Sequence, residues 1–296
     1  MSDKLKNFIV RTLSGAVLLL VILGAMWVGY YGFLALLLLI TVGGVWEFYA
    51  LCRAKGYEPQ RGLGVAIAVA LYLAGAMLSA TLSDCNTNLA VNGTFALVGI
   101  CLFVAAIFMA AIAFFAEVFR NRTSPIVNVA TTLAGVGYVA LPMALMTLIP
   151  TMLGGFDNPW RAIYFLFYLF LVWGNDVFAY LAGVTMGRHK MCERLSPKKS
   201  WEGFVGGVLG SLAVGAVAAT ILGESYGIWM GLALIVSLAS VVGDLVESMF
   251  KRDAGVKDSG NIIPGHGGIL DRFDAFILSA PCAFVFLLIV YLVSFL

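Results

Sequence analysis

Leu34-Ala35-Leu36-Leu37-Leu38-Leu39-Ile40-Thr41 offers no polar face at either a helical or a strand period. A strand of a membrane barrel alternates apolar and polar residues over about ten positions, and a surface helix keeps one polar stripe. This run does neither, and Ala16 to Val28 upstream reads the same way. A segment that is apolar all round needs apolar surroundings on every side, and without water its backbone must satisfy its own hydrogen bonds. Both conditions are met by a membrane helix.

The rest of the chain extends that reading. Hydrophobic residues fill 61% of the 296 positions and charged residues only 11%, less than half the charged share of a soluble globular domain. Crossing a hydrocarbon core of roughly 30 Å takes about 20 apolar helical residues. Such runs recur at 12–28, 31–50, 63–82, 94–115, 126–149, 162–183, 203–222, 227–243 and 275–295. The expected fold is therefore all-α: a polytopic integral membrane protein with about nine transmembrane helices, forming one membrane domain over 1–296. A kink is expected at Pro142. The Lys4-Leu5-Lys6 start could head a cleavable signal peptide, but its apolar run ends in Met26-Trp27-Val28 without small residues for cleavage, and a second span follows Gly29-Tyr30-Tyr31-Gly32. Cys52, Cys85, Cys101, Cys192 and Cys282 show no paired spacing and indicate neither a zinc site nor a disulfide framework. The net charge of +2 gives no reason to expect a nucleic-acid partner.

Nine spans divide the loops between two sides, and the 18 lysines and arginines distribute very unevenly. Lys4, Lys6, Arg11, Arg53, Lys55, Arg61, Arg120, Arg122, Arg188, Lys190, Arg194, Lys198, Lys199, Lys251, Arg252, Lys257 and Arg272 fall on one side, and Arg161 alone falls on the other. Basic loops face the cytosol, so the N-terminus is expected inside and the C-terminus outside. Orientation alone accounts for the first three basic clusters. It accounts poorly for the last two, which mix bases with acids.

Of the 16 acidic residues, ten lie between Asp176 and Asp274, so 1–160 reads as mainly helical scaffold and 161–296 as the catalytic region. Asn175 and Asp176 sit inside the sixth span, where an ionisable group costs about 2.5 to 3.5 kcal/mol and normally faces a partner or a watery cavity. Ser196-Pro197-Lys198-Lys199-Ser200-Trp201-Glu202-Gly203 then leads into the seventh span, with Ser200 as a candidate N-cap. Two lysines beside free backbone N–H groups suit a phosphate, although attraction to anionic lipid would also explain them. Asp244, Glu247, Ser248 and Lys251 share one helical face if the eighth helix continues through them, and Asp271 and Asp274 form a second acidic pair. Carboxylates from two helix ends among lysines offer hard oxygen ligands for Mg²⁺ and cations for substrate phosphates. A structural salt-bridge network is the competing reading. It leaves unexplained the Pro264-Gly265-His266-Gly267-Gly268 turn, whose glycines let backbone approach a ligand closely.

From Ser248 to Asp274 these residues resemble the signature of the CDP-diacylglycerol synthases, the phosphatidate cytidylyltransferases. The agreement runs through Ser248, Lys251, Arg252, Lys257, Asp258, Pro264, His266, Gly267, Gly268, Asp271, Arg272 and Asp274. The stretch from Asp176 to Gly203 is similar to the family's second characteristic region, with Ser200 where threonine is commoner and Asn175 where a small residue is usual.

What the resemblance implies is attack by a phosphate oxygen of phosphatidic acid on the α-phosphorus of CTP, with pyrophosphate leaving. It implies Mg²⁺, with room for a second, monovalent cation such as K⁺, and a bacterial inner membrane with the site on the cytosolic side. Asp176, Asp244, Lys251 and Asp271 are the expected catalytic residues, and Asp244, Glu247, Asp271 and Asp274 the expected metal ligands. Ser196, Lys198, Lys199, Ser200, Glu202, Ser248, Arg252, Lys257, His266, Gly267, Gly268 and Arg272 are the expected substrate-binding residues. Oligomeric state stays open, a homodimer included. Two alternatives are a CTP-dependent lipid kinase, against which the full signature speaks, and a transporter, against which the gathering of polar residues at one membrane face speaks.

Overall fold

The computed structural model describes residues 3–83, 89–155 and 160–294, and Cys85 lies outside them. The chain forms an integral, multi-pass membrane protein. Its helices are α1 (Asp3–Val28), α2 (Tyr30–Ala54), α3 (Arg61–Ser83), α4 (Leu89–Arg120), α5 (Pro125–Gly135), α6 (Leu141–Met146), α7 (Ile149–Gly154), α8 (Ala162–Met186), α9 (Trp201–Leu222), α10 (Tyr226–Asp253) and α11 (Leu270–Val293). Eight stretches among the described residues are long and apolar enough to cross a membrane, with α5 to α7 counted as one, and Thr12–Val28 of α1 adds a shorter apolar helix. About nine crossings were expected from the apolar runs, and this arrangement agrees.

The departures occur at polar ends. α10 continues ten residues past the apolar span that ends at 243, through Lys251 and Arg252, which meets the condition for Asp244, Glu247, Ser248 and Lys251 to share one helical face. The loop before α9 holds a short antiparallel hairpin, β1 (Lys190–Cys192) with β2 (Ser196–Ser200), an addition to the all-α expectation. The fifth span passes through a π-helical turn, Val136–Ala140, placed just before Pro142, whose missing N–H and bulky ring disrupt the regular ladder upstream.

Aromatic and small residues pack the interior. Tyr49, Tyr72, Tyr168 and Trp229 are fully buried. Buried away from water, the tyrosine hydroxyls find partners inside the chain: Tyr49 donates to the Thr132 carbonyl at 2.7 Å, Tyr72 to the Leu34 carbonyl at 2.7 Å, and Tyr168 pairs with the Ser279 hydroxyl at 2.8 Å. Helix α9 lies close against α8, since a Cβ on Gly207 would stand 2.8 Å from the Asn175 carbonyl oxygen. Backbone contact of this kind is how small residues join membrane helices.

The basic loops meet physically at one face. Lys55, just after α2, bonds Asp253 at the end of α10 at 2.8 Å, and Arg120, ending α4, donates to the Glu58 carbonyl at 3.0 Å.

Candidate active site

Two features at that face gather most of the expected site residues. The first is a cavity of about 540 Å³ between α8, α9, the hairpin and α10, with Asp176, Ser196, Lys198, Lys199, Ser200 and Asp244 on its wall. The two lysines stand on β2, one strand before the helix start. Ser200 caps α9, its hydroxyl accepting from the Gly203 N–H at 3.2 Å. Glu202 in the next turn accepts from the backbone N–H groups of Arg188 and His189 at 3.1 and 3.2 Å and pairs with His189 Nδ1 at 2.6 Å. These contacts fasten the start of the hairpin to α9. Lys199 Nζ reaches Asp244 Oδ2 at 2.6 Å, so the cavity wall is tied to α10 by an ion pair. Tyr180 and Val184, also on the wall, are exposed on the outer surface of α8.

The second feature is an acidic cluster at the foot of α10 and the head of α11. Carboxylate oxygens of Asp244, Glu247 and Asp274 all lie within 4.8 Å of one another. The two helices converge there because α10 has a glycine: a Cβ on Gly243 would stand 2.6 Å from the Asp274 carbonyl oxygen. Glu247 is fully buried, one oxygen held by Lys251 Nζ at 2.5 Å, and its other oxygen, Oε1, has no hydrogen-bond partner among the described residues. A buried, unpartnered carboxylate oxygen beside two more carboxylates is destabilising by itself. A divalent cation would relieve it with the hard oxygen ligands it prefers, and the donor set therefore fits such an ion.

Asp271 stands outside that triad, with both oxygens engaged. Lys251 donates to Oδ1 at 2.7 Å; the Ser259 N–H, Ser259 hydroxyl and Gly268 N–H approach Oδ2 at 2.8, 3.0 and 2.8 Å. Lys251 thus bridges Asp271 and Glu247. Ser248, buried on the same face of α10, donates to Asp244 Oδ1 at 3.3 Å.

The loop between the helices is a tight turn closed by the Ile263 N–H to the Gly267 carbonyl at 2.9 Å, with Gly265 and Gly267 at φ of 72° and 82°. Gly267 and Gly268 do permit close approach, and what fills the space is protein. A Cβ on Gly267 would meet Asp271 Oδ2 at 2.5 Å, and one on Gly268 would meet Glu47 Oε2 at 2.2 Å. Arg272 donates to the His266 carbonyl at 2.9 and 2.7 Å, and half-buried His266 lies beside Gly15 of α1. Arg252 and Lys257 are exposed and, like His266 and Arg272, do not line the cavity.

Two participants escaped the sequence reading. Glu47 of α2 is buried against this loop, and Ser259 links it to Asp271. An acid inside an apolar span is the signal that marks Glu47; Ser259 carries none.

The description "Cytidylyltransferase family" belongs to the family model that matches residues 9–290. A phosphatidate cytidylyltransferase of Synechocystis sp. is 33% identical over 284 residues, 88% of this chain and 89% of the relative. One from Staphylococcus aureus is 41% identical over 165 residues, 55% of this chain, and one from Staphylococcus saprophyticus is 49% identical over 120 residues, 40% of this chain. The chain spans only 60% and 46% of those two staphylococcal proteins. With nearly its whole length matched by the family model and most of it by the cyanobacterial relative, the chain belongs to the cytidylyltransferase family.

Proposed function

We propose that this protein transfers the cytidylyl group of CTP to phosphatidic acid, yielding CDP-diacylglycerol and pyrophosphate, on the membrane face that carries the basic loops. The observation that carries the reading is the junction of the lysine-walled cavity with the acidic cluster through the Lys199–Asp244 pair. Phosphates need the lysines and a triphosphate needs the cation that the carboxylates would hold. The relatives' printed name gives the same reaction class. A lipid phosphate can reach such a cavity while its acyl chains stay in the bilayer along exposed Tyr180 and Val184.

In the reaction a phosphatidate oxygen bonds to the α-phosphorus of CTP, the bond from that phosphorus to the bridging oxygen breaks, and its electron pair leaves with pyrophosphate. No protein nucleophile is required, so the residues act by position and charge. Lys198 and Lys199 neutralise phosphate oxygens, and Lys199 exchanges Asp244 for an arriving phosphate. Lys251 holds Glu247 and Asp271 in fixed relation. Asp244, Glu247 and Asp274 would hold Mg²⁺, with Asp271 alongside, and K⁺ could draw on the same oxygens. The bound ion supplies positive charge to the triphosphate and to the charge that develops during transfer.

One experiment tests both the reaction and the orientation. Sealed membrane vesicles of either sidedness receive phosphatidic acid, Mg²⁺ and CTP labelled at the α or the γ phosphate, and lipid is then extracted. The expected result is α label in lipid, dependent on phosphatidic acid, only when the basic face points outward. Label from the γ position in lipid would instead indicate a kinase, and activity with the opposite sidedness would reverse the orientation.

A further inference from the structure

We infer that Glu47 positions Asp271 and Asp274 for the reaction proposed above, an inference that rests on that reading and assigns a task to the half of the chain expected to be scaffold. The Glu47 carboxylate is 3% exposed and accepts three hydrogen bonds from the catalytic half. Oε1 takes the Ile269 N–H at 3.0 Å, and Oε2 takes the Leu270 N–H at 2.8 Å and the Ser259 hydroxyl at 3.1 Å. The two amides stand at the start of α11, where a helix leaves N–H groups unpaired and where the N-cap residue, Ile269, has no side-chain oxygen. Glu47 does the capping from more than 220 residues away. Its negative charge also suits the positive end of the helix.

The loop is built to admit this carboxylate. A Cβ on Gly260 would stand 2.4 Å from Oε1, and one on Gly268 would stand 2.2 Å from Oε2, so any larger residue at either place would push the acid away. Asp271 lies in the first turn of the helix so capped and Asp274 one turn further on, so the placement of that helix start sets both. The Ser259 hydroxyl couples the acids more directly. It touches Glu47 and Asp271 but has one proton, so it serves one of them at a time. While it serves Glu47, the N–H groups of Ser259 and Gly268 hold Asp271. Glutamine at position 47 would keep the size and lose the charge, and its NH₂ would face one of the donors that the carboxylate now accepts from.

The test measures cation binding without turnover. Wild type, Glu47→Gln and the gentler Ser259→Ala are purified in detergent and titrated with Mn²⁺, read through loss of the free ion's paramagnetic resonance signal. Affinity is expected to fall about tenfold in Glu47→Gln and by less, in the same direction, in Ser259→Ala. Wild-type affinity in both variants overturns the inference. So does a smaller folded fraction whose remaining molecules bind Mn²⁺ normally, since packing alone would produce that. If Glu47→Gln cannot be purified, Ser259→Ala decides, and unchanged affinity there is the overturning result. A wild type that binds no Mn²⁺ would sink both the acidic-cluster reading and this inference. Mn²⁺ binding that weakens as expected, in a protein that leaves α label in water, would remove the reaction assignment while supporting the positioning of the two aspartates.

Discussion

Two groups of buried polar side chains sit at the basic face, and they are matched to their surroundings in opposite ways. Around Glu117, at the end of α4, donors and acceptors balance. Oε2 accepts from Gln60 and from Arg120 at 2.7 Å each, and Oε1 accepts from Asn128 at 2.9 Å. Gln60 and Asn128 are in turn held by the Ala113 and Thr123 carbonyls. Around Glu247, three carboxylates crowd within 4.8 Å and one buried oxygen has no partner among the described residues. A membrane interior tolerates polar groups that satisfy one another. The first group therefore needs nothing from outside the chain, whereas the second leaves a buried oxygen unmatched, as the proposed cation site requires.

The contrast breaks most visibly in activity. Asp274→Asn and Asp244→Asn keep side-chain size and remove one negative charge each, so turnover of phosphatidic acid is expected to fall at least about 100-fold. Thermal unfolding in detergent without metal should show Asp274→Asn as stable as wild type or more so, because a like charge has been removed, and Asp244→Asn close to wild type, because the same relief offsets its lost, partly exposed pair with Lys199. Near-normal turnover at low Mg²⁺ in both would move the cation elsewhere, and a large loss of stability would make the cluster a structural network like that of Glu117.

Glu117→Gln should do the reverse. Its amide nitrogen must replace an oxygen that now accepts hydrogen bonds, leaving at least one buried donor unmatched, which costs about 1 to 3 kcal/mol. A lower unfolding temperature with turnover per folded molecule unchanged is the expected pair of results. A change in kcat at unaltered stability would mean that the first group, too, takes part in the reaction.

How far the sequence could be read follows the range of the interactions. Long apolar runs such as Leu34 to Thr41 are local and contiguous, so the spans were legible. Their ends were not, because α10 is carried past 243 by polar residues such as Glu247 and Lys251 whose partners lie inside the protein and not in the apolar run. The hairpin before α9 was missed because its strands are three and five residues long, too short to show an alternating apolar pattern. Asp244 with Glu247, and Asp271 with Asp274, could be paired by helical spacing. Their convergence across α10 and α11 depends on the packing of Gly243 against Asp274. The partnership of Glu47 with Ile269 and Leu270 has no local trace beyond one acid in an apolar span.

The smallest expected effect concerns Ser200, which belongs to both kinds of surroundings. Its hydroxyl lines the lysine cavity and also accepts the Gly203 N–H as the cap of α9. A cap satisfies a donor that the helix cannot satisfy itself, and replacing serine by alanine at such a position costs about 1 kcal/mol. Ser200→Ala should therefore lower the unfolding temperature slightly. Ser200→Thr retains the oxygen but adds a methyl group where space is scarce, since a Cβ on Gly187 would stand 2.7 Å from Ser200 Oγ. The comparison separates the hydroxyl's two duties. If capping dominates, the alanine variant loses stability and the threonine variant recovers most of it, while KM for CTP moves little in either. If the hydroxyl chiefly contacts substrate, Ser200→Ala should unfold like wild type and show its deficit in KM alone, and the serine would then belong with the incomplete, ligand-dependent surroundings of Glu247.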